Sequence, residues 1–181
     1  MCRRHVALLF ILAASLICSS ACAQEGGSAD PWARFQFLIG TWSGTGAGAP
    51  GEISMGKTSF SFDLDKNVII RKNRVEIAPK AGEAKGAVHE DLLVIYRQPG
   101  ETAPRAIYFD NESHVIEYVA SFPEKEPSVV FESKGAEKMP AFRLVYEMTP
   151  AGELSIEFLM APPGGEFKSY TKGVAAREKA Q

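Results

Sequence analysis

The chain has 181 residues, with 20 basic and 22 acidic side chains, a net charge of −2 and only three cysteines. This nearly neutral, slightly acidic balance argues against nucleic acid and anionic membrane surfaces as partners. The length suits one domain of ordinary size with its own hydrophobic core.

The first 23 residues have the pattern of a secretory signal peptide. Arg3 and Arg4 precede an apolar run at residues 6–17, and the small-residue site Ala21-Cys22-Ala23 follows. The apolar run is too short to span a membrane. We therefore expect cleavage after Ala23, which leaves residues 24–181 as one secreted or periplasmic domain without a membrane-inserted segment.

All three cysteines, Cys2, Cys18 and Cys22, lie in this leading segment. Lipidation of Cys18 or Cys22 is an alternative to simple cleavage, although neither follows a leucine by three positions. A chain cleaved after Ala23 has no thiol, which excludes disulfides, cysteine-ligated metals and a thiol nucleophile. Cleavage also removes two arginines, so 18 basic residues remain against 22 acidic ones and the net charge is about −4.

A short helix is predicted first, and strands after it. The Asp30-Pro31 pair offers an N-cap and a proline at the first helical position, and apolar residues at 32, 35 and 38 follow at helical spacing. Beyond Gly40 the apolar period changes to two, which is typical of strands. The alternation is clearest in SFSFDLD, VHEDLLVIYRQ, RAIYFD, HVIEYVASF, FRLVYEM and ELSIEFLM.

Short polar turns separate these segments. They are Asp65-Lys66-Asn67, Gln98-Pro99-Gly100, Asp110-Asn111-Glu112-Ser113, Pro150-Ala151-Gly152 and Pro162-Pro163-Gly164-Gly165. Together they predict an all-β domain, a single antiparallel barrel of about ten strands with one short N-terminal helix. Strand spacing alone does not distinguish a barrel from a β-sandwich, which is the alternative fold.

Residues 51–58, GEISMGKT, match the phosphate-binding loop of nucleotide hydrolases. Such a loop works between a buried strand and the N-terminus of a helix. Here the glycine-rich TWSGTGAGAP precedes the match, and a strand pattern follows Thr58. We therefore expect no nucleotide binding. Residues 51–56 are instead predicted to form the loop between the first two strands, with Lys57 exposed at the start of the second.

The stretch FLIGTWSGTGAG, residues 37–48, resembles the opening strand of calycin-type barrels. In those barrels a Gly-x-Trp unit follows a short helix, and the tryptophan packs across the closed end. The likeness is greatest to the nitrobindin-like family and to secreted lipocalin-like domains of unknown function, through Gly40-Thr41-Trp42 and the glycines at 44, 46 and 48. The order of the last strands, ending in Arg177, is also similar. The resemblance implies a barrel with a ligand cavity.

One departure from that family concerns its cofactor. Nitrobindin-like proteins hold haem through a histidine early in the last strand, where this chain reads EFKSYTKGVAAR without a histidine. Tyr170 is the nearest side chain able to ligate iron, but a tyrosine in a strand is more often a packing residue. We therefore expect no cofactor. A haem or nitric-oxide protein with an unusual ligand, such as Tyr170 or His114, is the alternative.

Polar residues on the apolar phase of the strands are the candidate ligand-binding residues. The set is Arg71, Asn73, Tyr96, His114, Tyr118 and Tyr146. Arg71 and Asn73 share a phase with Ile69, Tyr96 with Leu92 and Val94, His114 and Tyr118 with Ile116, and Tyr146 with Leu144. Such a set around an apolar cavity suits an anionic or aromatic small ligand. Each residue alone also fits a purely structural role, as a surface ion pair, a solvated side chain or a packed ring.

The sequence thus favours a secreted or periplasmic barrel that binds a small molecule. It shows no nucleophile elbow and no Ser-His-Asp spacing, and His89 with His114 lacks a third metal ligand. We therefore expect neither a metal site nor, on balance, catalysis. A β-barrel isomerase or hydrolase with His114 as its base is the enzymatic alternative. A packed barrel with a structural or partner-binding role is a further one.

Overall fold

The chain folds into a closed barrel of ten antiparallel strands, seen in a computed structural model that describes residues 30–47, 53–79, 82, 84–124, 127–135 and 137–179. The strands are β1 (Gly40–Ala47), β2 (Ile53–Asp63), β3 (Val68–Ile77), β4 (Ala87–Tyr96), β5 (Arg105–Asp110), β6 (Val115–Ser121), β7 (Ser128–Glu132), β8 (Ala141–Met148), β9 (Leu154–Ala161) and β10 (Lys168–Arg177). Each strand pairs with its neighbours in sequence, and β1 pairs with β10 to close the ring. The predicted barrel is confirmed.

The five predicted turns all connect consecutive strands. In the turn between β2 and β3, the φ angles of Leu64, Asp65 and Lys66 are 47°, 54° and 62°, in the left-handed region that L residues rarely adopt. The carbonyl of Lys66 accepts a hydrogen bond of 2.7 Å from the indole Nε1 of Trp32. This bond ties the turn to the segment that leads into the N-terminal helix.

The predicted helix is a 3-10 helix, Ala33–Leu38, and it covers one end of the barrel. Asp30 accepts a hydrogen bond of 2.9 Å from the Trp32 amide through Oδ1, but the helix begins three residues after Asp30 rather than at Pro31. Phe35 is fully buried, and its ring lies 5.0 Å from that of Phe122. We call this covered end the closed end.

Trp42 of β1 packs across the closed end, as the resemblance to calycin-type barrels implies. Its side chain is fully buried, and its Nε1 donates a 2.8 Å hydrogen bond to the carbonyl of Leu38. The guanidinium of Arg177 lies 4.1 Å from the centre of the Trp42 ring and donates to the carbonyls of Phe37 and Ile39. The end of the last strand is therefore fastened to the helix that precedes the first.

The inward side chains become more exposed toward the opposite end of the barrel. On β3 the buried Ile69 and Arg71 are followed by the half-buried Asn73, Val75 and Ile77. The inward residues of β9 and β10 show the same gradient. We call this end the open end, and the half of the interior between it and Arg71 the open half.

The GEISMGKT segment differs in part from its prediction. Strand β2 already begins at Ile53, so the loop between β1 and β2 ends earlier than Gly56, and Lys57 lies inside the strand. Lys57 is exposed as predicted, with 61% of its side chain accessible and its Nζ 2.9 Å from Glu178. Thr58 is buried and faces the interior. Residues 51 and 52 lie outside the described part of the chain.

The proposed signal peptide, residues 1–23, also lies outside the described residues. Within residues 30–179, apart from the gaps given above, no helix has the length and apolar character needed to cross a membrane.

Candidate functional site

A buried ion pair lies in the middle of the barrel. Arg71 on β3 and Asp91 on β4 are 5% and 3% exposed, and Nη1 of Arg71 lies 2.8 Å from Oδ1 of Asp91. Burial is the largest influence on the guanidinium and lowers its pKa, but Asp91 and the nearby Tyr146, Tyr108 and Tyr118 together raise it by more, so the net pKa of Arg71 is above its ordinary value. The guanidinium is therefore charged at physiological pH.

Two neighbouring polar side chains add hydrogen bonds to this pair. Thr58 of β2 accepts a bond of 3.1 Å from Nε of Arg71, and Asn73 of β3 donates a bond of 2.7 Å to Oδ2 of Asp91. Strand register explains the arrangement, because Thr58, Asn73 and Asp91 are directly opposite one another on adjacent strands. Side chains at such positions share one face of the sheet.

Two tyrosines stand beside the ion pair with hydroxyls that lack a partner. Tyr118 of β6 and Tyr146 of β8 pack edge-on against Phe131 of β7, with ring centres 6.4 Å and 6.1 Å away. Both side chains are buried, and neither hydroxyl has a hydrogen-bond partner among the described residues. Burial raises the pKa of both phenols above the ordinary value, so both stay protonated.

A chain of titratable groups runs from this cluster to the rim of the open end. Nε2 of His89 lies 3.4 Å from Oδ2 of Asp91 and 3.0 Å from the Tyr108 hydroxyl, which donates a 3.3 Å bond to Oδ2 of Asp110. The same Asp110 oxygen lies 2.8 Å from Nδ1 of His114. The chain joins buried carboxylates to an exposed imidazole.

The charges in this chain have defined states. The contact with Asp91 is the main cause that raises the pKa of His89 to about 9, and the exposed Glu112 adds to it, so His89 is protonated at neutral pH. Burial raises the pKa of Tyr108, which stays neutral. Burial also tends to raise the pKa of Asp110, but hydrogen bonds from the amide and imidazole of His114 and from the amide of Glu112 together outweigh it and lower that pKa.

The structure brings four of the six candidate residues together. Arg71, Asn73, Tyr118 and Tyr146 face the interior around the ion pair, with Asn73 half-buried toward the open half. His114 lies at the rim, with 62% of its side chain exposed. A role in ligand binding stays a prediction for all six.

The predicted inward position of Tyr96 is wrong. Leu93 and Ile95 are fully buried, so the inward phase of β4 runs through Asp91, Leu93 and Ile95. Tyr96 belongs to the outward phase with Leu92 and Val94. Because β4 is apolar on both phases, its hydrophobic pattern alone does not show which side faces the core.

Five polar residues of this cluster are absent from the candidate set predicted from sequence: Thr58, His89, Asp91, Tyr108 and Asp110. The error in the phase of β4 hid His89 and Asp91. In the sequence, Thr58 stands out only as part of the nucleotide-binding pattern. The signal that could have revealed Asp91 is a pair of opposite charges. When β3 and β4 are aligned as a hairpin, Asp91 lies opposite Asn73, and Asn73 is two residues from Arg71 on the same face. Opposite charges on one apolar face indicate an interior ion pair.

The positions considered for iron or other metals lie apart from this cluster. Tyr170 is 50% exposed and sits at an irregularity in the pairing of β10 with β9, its ring 6.2 Å from that of Phe158. In the part of the chain that the structure describes, no three His, Cys, Asp or Glu side chains are grouped to hold a metal ion.

An open depression of about 400 Å³ lies over β3, β4 and β5. It is lined by Lys72, Asn73, Glu90, Asp91, Leu92, Phe109 and Asp110. Lys72, Leu92 and Phe109 are paired with one another on the outward face of the three strands, so the depression opens on the outer wall.

Comparison with known proteins identifies the fold. No protein-family model matches the chain, and no curated protein is found to be similar to it. The crystal structure of Rv2717c from M. tuberculosis matches with a TM-score of 0.60 at 16% identity, over 83% of this chain and 99% of that chain. The S-type phycobiliprotein lyase CPES from Guillardia theta matches with a TM-score of 0.51 at 12% identity, over 81% and 92%. The barrel is therefore calycin-like, and identities this low show the fold alone.

Proposed function

We propose that this protein binds a small organic molecule inside the barrel, in the open half and against the Arg71–Asp91 pair. The observation that carries the proposal is the pair of buried tyrosine hydroxyls without partners. A buried hydroxyl that lacks a hydrogen bond costs about 1 to 3 kcal/mol, and native interiors contain few such groups. A ligand that accepts hydrogen bonds from Tyr118 and Tyr146 would offset the cost of burying their hydroxyls.

The walls of the open half suit the body of such a ligand. The rings of Phe142 and Phe158 are stacked 5.8 Å apart, and Ile156 and Val75 are further half-buried apolar residues of the inward phase. A site with apolar walls and a few convergent polar groups is the usual form of a small-molecule pocket. The fold alone does not select a ligand, so the proposal rests on these side chains.

One specific contact favours an enzyme as the second candidate. His114 is held by Asp110 through Nδ1 at 2.8 Å, and a carboxylate that orients an imidazole in this way is typical of a general base. An isomerase or hydrolase that uses His114 would lose its activity in His114→Ala while keeping its fold. We rank this candidate second because His114 is mostly exposed and lies at the rim.

Export and kinship with nitrobindin-like proteins are further parts of the proposal. The residues in their support are the leading segment at 1–23 and the Gly40-Thr41-Trp42 unit with its Arg177 contact. N-terminal sequencing of the chain from an extracytoplasmic fraction should begin at Gln24. A Soret band in the protein purified from its own organism would instead support haem and contradict the expectation of no cofactor.

The test of the main proposal is the molecule that accompanies the protein. We expect organic extraction and mass spectrometry of protein from its own organism to give one compound at about one equivalent. Val75→Trp, which fills the open half, should abolish its retention. The matched variant Val174→Trp changes an outward valine that is 40% exposed and should retain it. Retention by Val75→Trp, or no bound compound in the unaltered protein, would contradict the proposal.

A further inference from the structure

We infer that the outer face of the barrel over β4 and β5 binds the same face of a second copy of this chain, in a weak homodimer with two-fold symmetry. The inference concerns the outside of the barrel and does not depend on a ligand inside it. It begins from β4, whose outward residues Leu92 and Val94 are as apolar as its inward ones. A strand that is apolar on both phases is typical of a sheet covered on both faces.

The apolar outward residues are neighbours in the strand register. Leu92 lies opposite Phe109, Val94 lies opposite Ile107, and Val115 of β6 follows next to Phe109. Phe109 and Val115 are 41% and 64% exposed. We call these five residues the apolar wall. On β1 and β2, by contrast, most outward positions are polar, among them Ser43, Thr45, Lys57, Ser59 and Ser61. A contiguous apolar patch on one side of a folded domain marks an interaction site.

Two charges of opposite sign flank the apolar wall. Lys72 of β3 lies next to Leu92, and Glu117 of β6 lies next to Ile107. Neither side chain makes an ion pair or a side-chain hydrogen bond with another described residue. Other charges along the border are already paired within the chain, as Arg74 with Glu90 and Arg105 with Glu101. Lys72 and Glu117 are therefore the charges that a partner can satisfy.

The two charges make the face complementary to itself. In an isologous contact each pair of residues meets twice, so Lys72 of either copy lies against Glu117 of the other. Val94 and Phe109 lie in the rows between the two charges, close to the two-fold axis that exchanges them. Opposite charges that meet across an interface fix its register and favour the correct partner.

The same axis also brings a projecting side chain to a hollow. With strands about 4.8 Å apart and alternate residues of a strand about 6.8 Å apart, it places Val115 of the second copy over β4 between Leu92 and Glu90. The open depression of about 400 Å³ lies there, lined by Lys72, Glu90, Leu92 and Phe109 among others. Charge and shape thus select the same arrangement of the two copies.

The curvature of the barrel keeps the contact small. The strands from β3 to β6 span about 14 Å at ordinary strand spacing, and the outer surface of a closed barrel is convex. The contact therefore stays below the area of about 800 Å² per partner that is usual for stable interfaces. We expect a dissociation constant between about 1 and 100 µM, so that monomer and dimer exchange.

Sedimentation velocity at increasing protein concentration measures the association. We expect the unaltered protein to pass from monomer to dimer over this range. Phe109→Ser removes the ring at the centre of the contact and should raise the dissociation constant at least about tenfold. The matched control Val174→Ser changes an outward valine of β10, on the far side of the barrel, and should leave the constant unchanged. Circular dichroism checks that both barrels are intact.

Exchange of the two charges tests the proposed register. Lys72→Glu and Glu117→Lys each place like charges opposite one another and should each raise the dissociation constant about tenfold. The double variant restores opposite charges in exchanged positions and should return to within about threefold of the unaltered protein. Association through apolar contact alone does not predict this recovery.

Each other outcome overturns the inference. A protein that stays monomeric up to about three times the upper limit of the expected dissociation constant does not form the dimer. A dimer that Phe109→Ser leaves unchanged, or charge variants without recovery in the double variant, would place the contact elsewhere. If the protein stays monomeric but cosediments with phosphatidylcholine vesicles through Phe109, a lipid surface covers the wall and not a second copy. None of these results bears on the compound retained inside the barrel, which tests the proposed function separately.

Discussion

Individual polar residues of the interior fall into two groups that differ in how well they are satisfied. Thr58 and Asn73 make hydrogen bonds of 3.1 Å and 2.7 Å to the buried ion pair, so their polar atoms stabilise a charge that burial would otherwise penalise. The buried hydroxyls of Tyr118 and Tyr146 have no hydrogen-bond partner among the described residues, so the cost of burying them is not offset. Residues that lower stability in the free protein are the ones for which a binding role is the better explanation.

Removing those hydroxyls should stabilise the protein without ligand. We expect Tyr118→Phe and Tyr146→Phe each to raise the free energy of unfolding by about 1 kcal/mol, because the penalty of an unpaired buried hydroxyl disappears and the ring packing stays. Urea unfolding measures the change, with Tyr96→Phe as a control that should stay within about 0.5 kcal/mol of the unaltered protein. A loss of stability in either variant would show that its hydroxyl has a partner.

The charge on His89 should make stability depend on pH. Its pKa is about 9 in the folded protein, against 6.5 for an ordinary histidine, so its contribution is complete below about pH 6.5 and is lost as pH rises through 9. We expect the free energy of unfolding to fall by about 1 kcal/mol over this range. This value is smaller than the pKa shift alone would give, because His89 is 26% exposed, Glu112 is 60% exposed and solvent screens their interaction.

The measurement is urea unfolding at several pH values for the unaltered protein and for His89→Gln. The difference between the two free energies of unfolding should shrink from pH 6.5 to pH 9. Comparing the two proteins cancels the titration of other groups. A difference that is constant or grows over this range would contradict the assignment of the charge to His89.

Site residues were predictable where one phase of a strand is clearly apolar. On β3 the outward residues Lys72, Arg74 and Glu76 are charged, so the sequence predicts the inward positions of Arg71 and Asn73 correctly. On β4 both phases are apolar between Leu92 and Ile95, and Tyr96 was placed on the wrong side. Asp91 is buried because it pairs with Arg71 on the neighbouring strand. The local pattern of either strand does not show this pairing.

At the scale of the elements, two glycines of β1 lie against the backbone of β10. A methyl group added to Gly44 would sit 2.0 Å from the carbonyl oxygen of Val174 and 2.6 Å from the Cα of Ala175, both backbone atoms that cannot turn aside. At Gly46 the nearest atom would be 3.4 Å away, at Gly173. The alternating glycines of the opening strand therefore do not share one role.

We expect Gly44→Ala to lower the free energy of unfolding by about 3 kcal/mol or more, because the two strands must separate to admit the methyl group. Gly46→Ala should change it by less than about 1 kcal/mol. Denaturant unfolding of the two variants measures the contrast. Equal effects of the two substitutions would mean that backbone propensity, and not the contact with β10, is the cause.

The order of elements was predictable because its signals are local. A turn such as Pro150-Ala151-Gly152 interrupts the two-residue alternation and marks where a strand ends, and Gly152 has the positive φ of 79° that favours glycine. Barrel closure is a property of distant strands. It was inferred only from the resemblance carried by Gly40-Thr41-Trp42, since strand lengths and spacings fit a sandwich equally well.

At the scale of the whole molecule, Arg177 joins the last strand to the first strand and to the 3-10 helix before it. It stacks on Trp42 of the first strand and donates to two carbonyls around the 3-10 helix. Lysine cannot reproduce the planar stacking or the forked donation. We expect Arg177→Lys to cost about 1 to 2 kcal/mol of stability, whereas Arg74→Lys, at an ion pair with both side chains about half exposed, should cost almost nothing. Similar losses in both variants would contradict this role for Arg177.

The architecture also bears on the GEISMGKT match, since a nucleotide site is a property of the surrounding fold. Lys57 is an outward residue of β2 and pairs with Glu178, Thr58 faces Arg71, and the strand continues to Asp63 where a phosphate site needs a helix. The lysine and threonine of a working site would both turn toward the phosphates. Here they lie on opposite faces of the barrel wall.

We therefore expect millimolar ATP with magnesium to leave the melting temperature unchanged, and Lys57→Ala to change the free energy of unfolding by no more than about 0.5 kcal/mol. A ligand at one hundred times its dissociation constant would add about 2.7 kcal/mol by binding the folded state, which a thermal melt detects easily. Magnesium chloride without nucleotide is the control for ionic strength. A saturable rise in melting temperature with ATP, abolished in Lys57→Ala, would mean that β2 presents both side chains to one ligand, which the barrel as described does not permit.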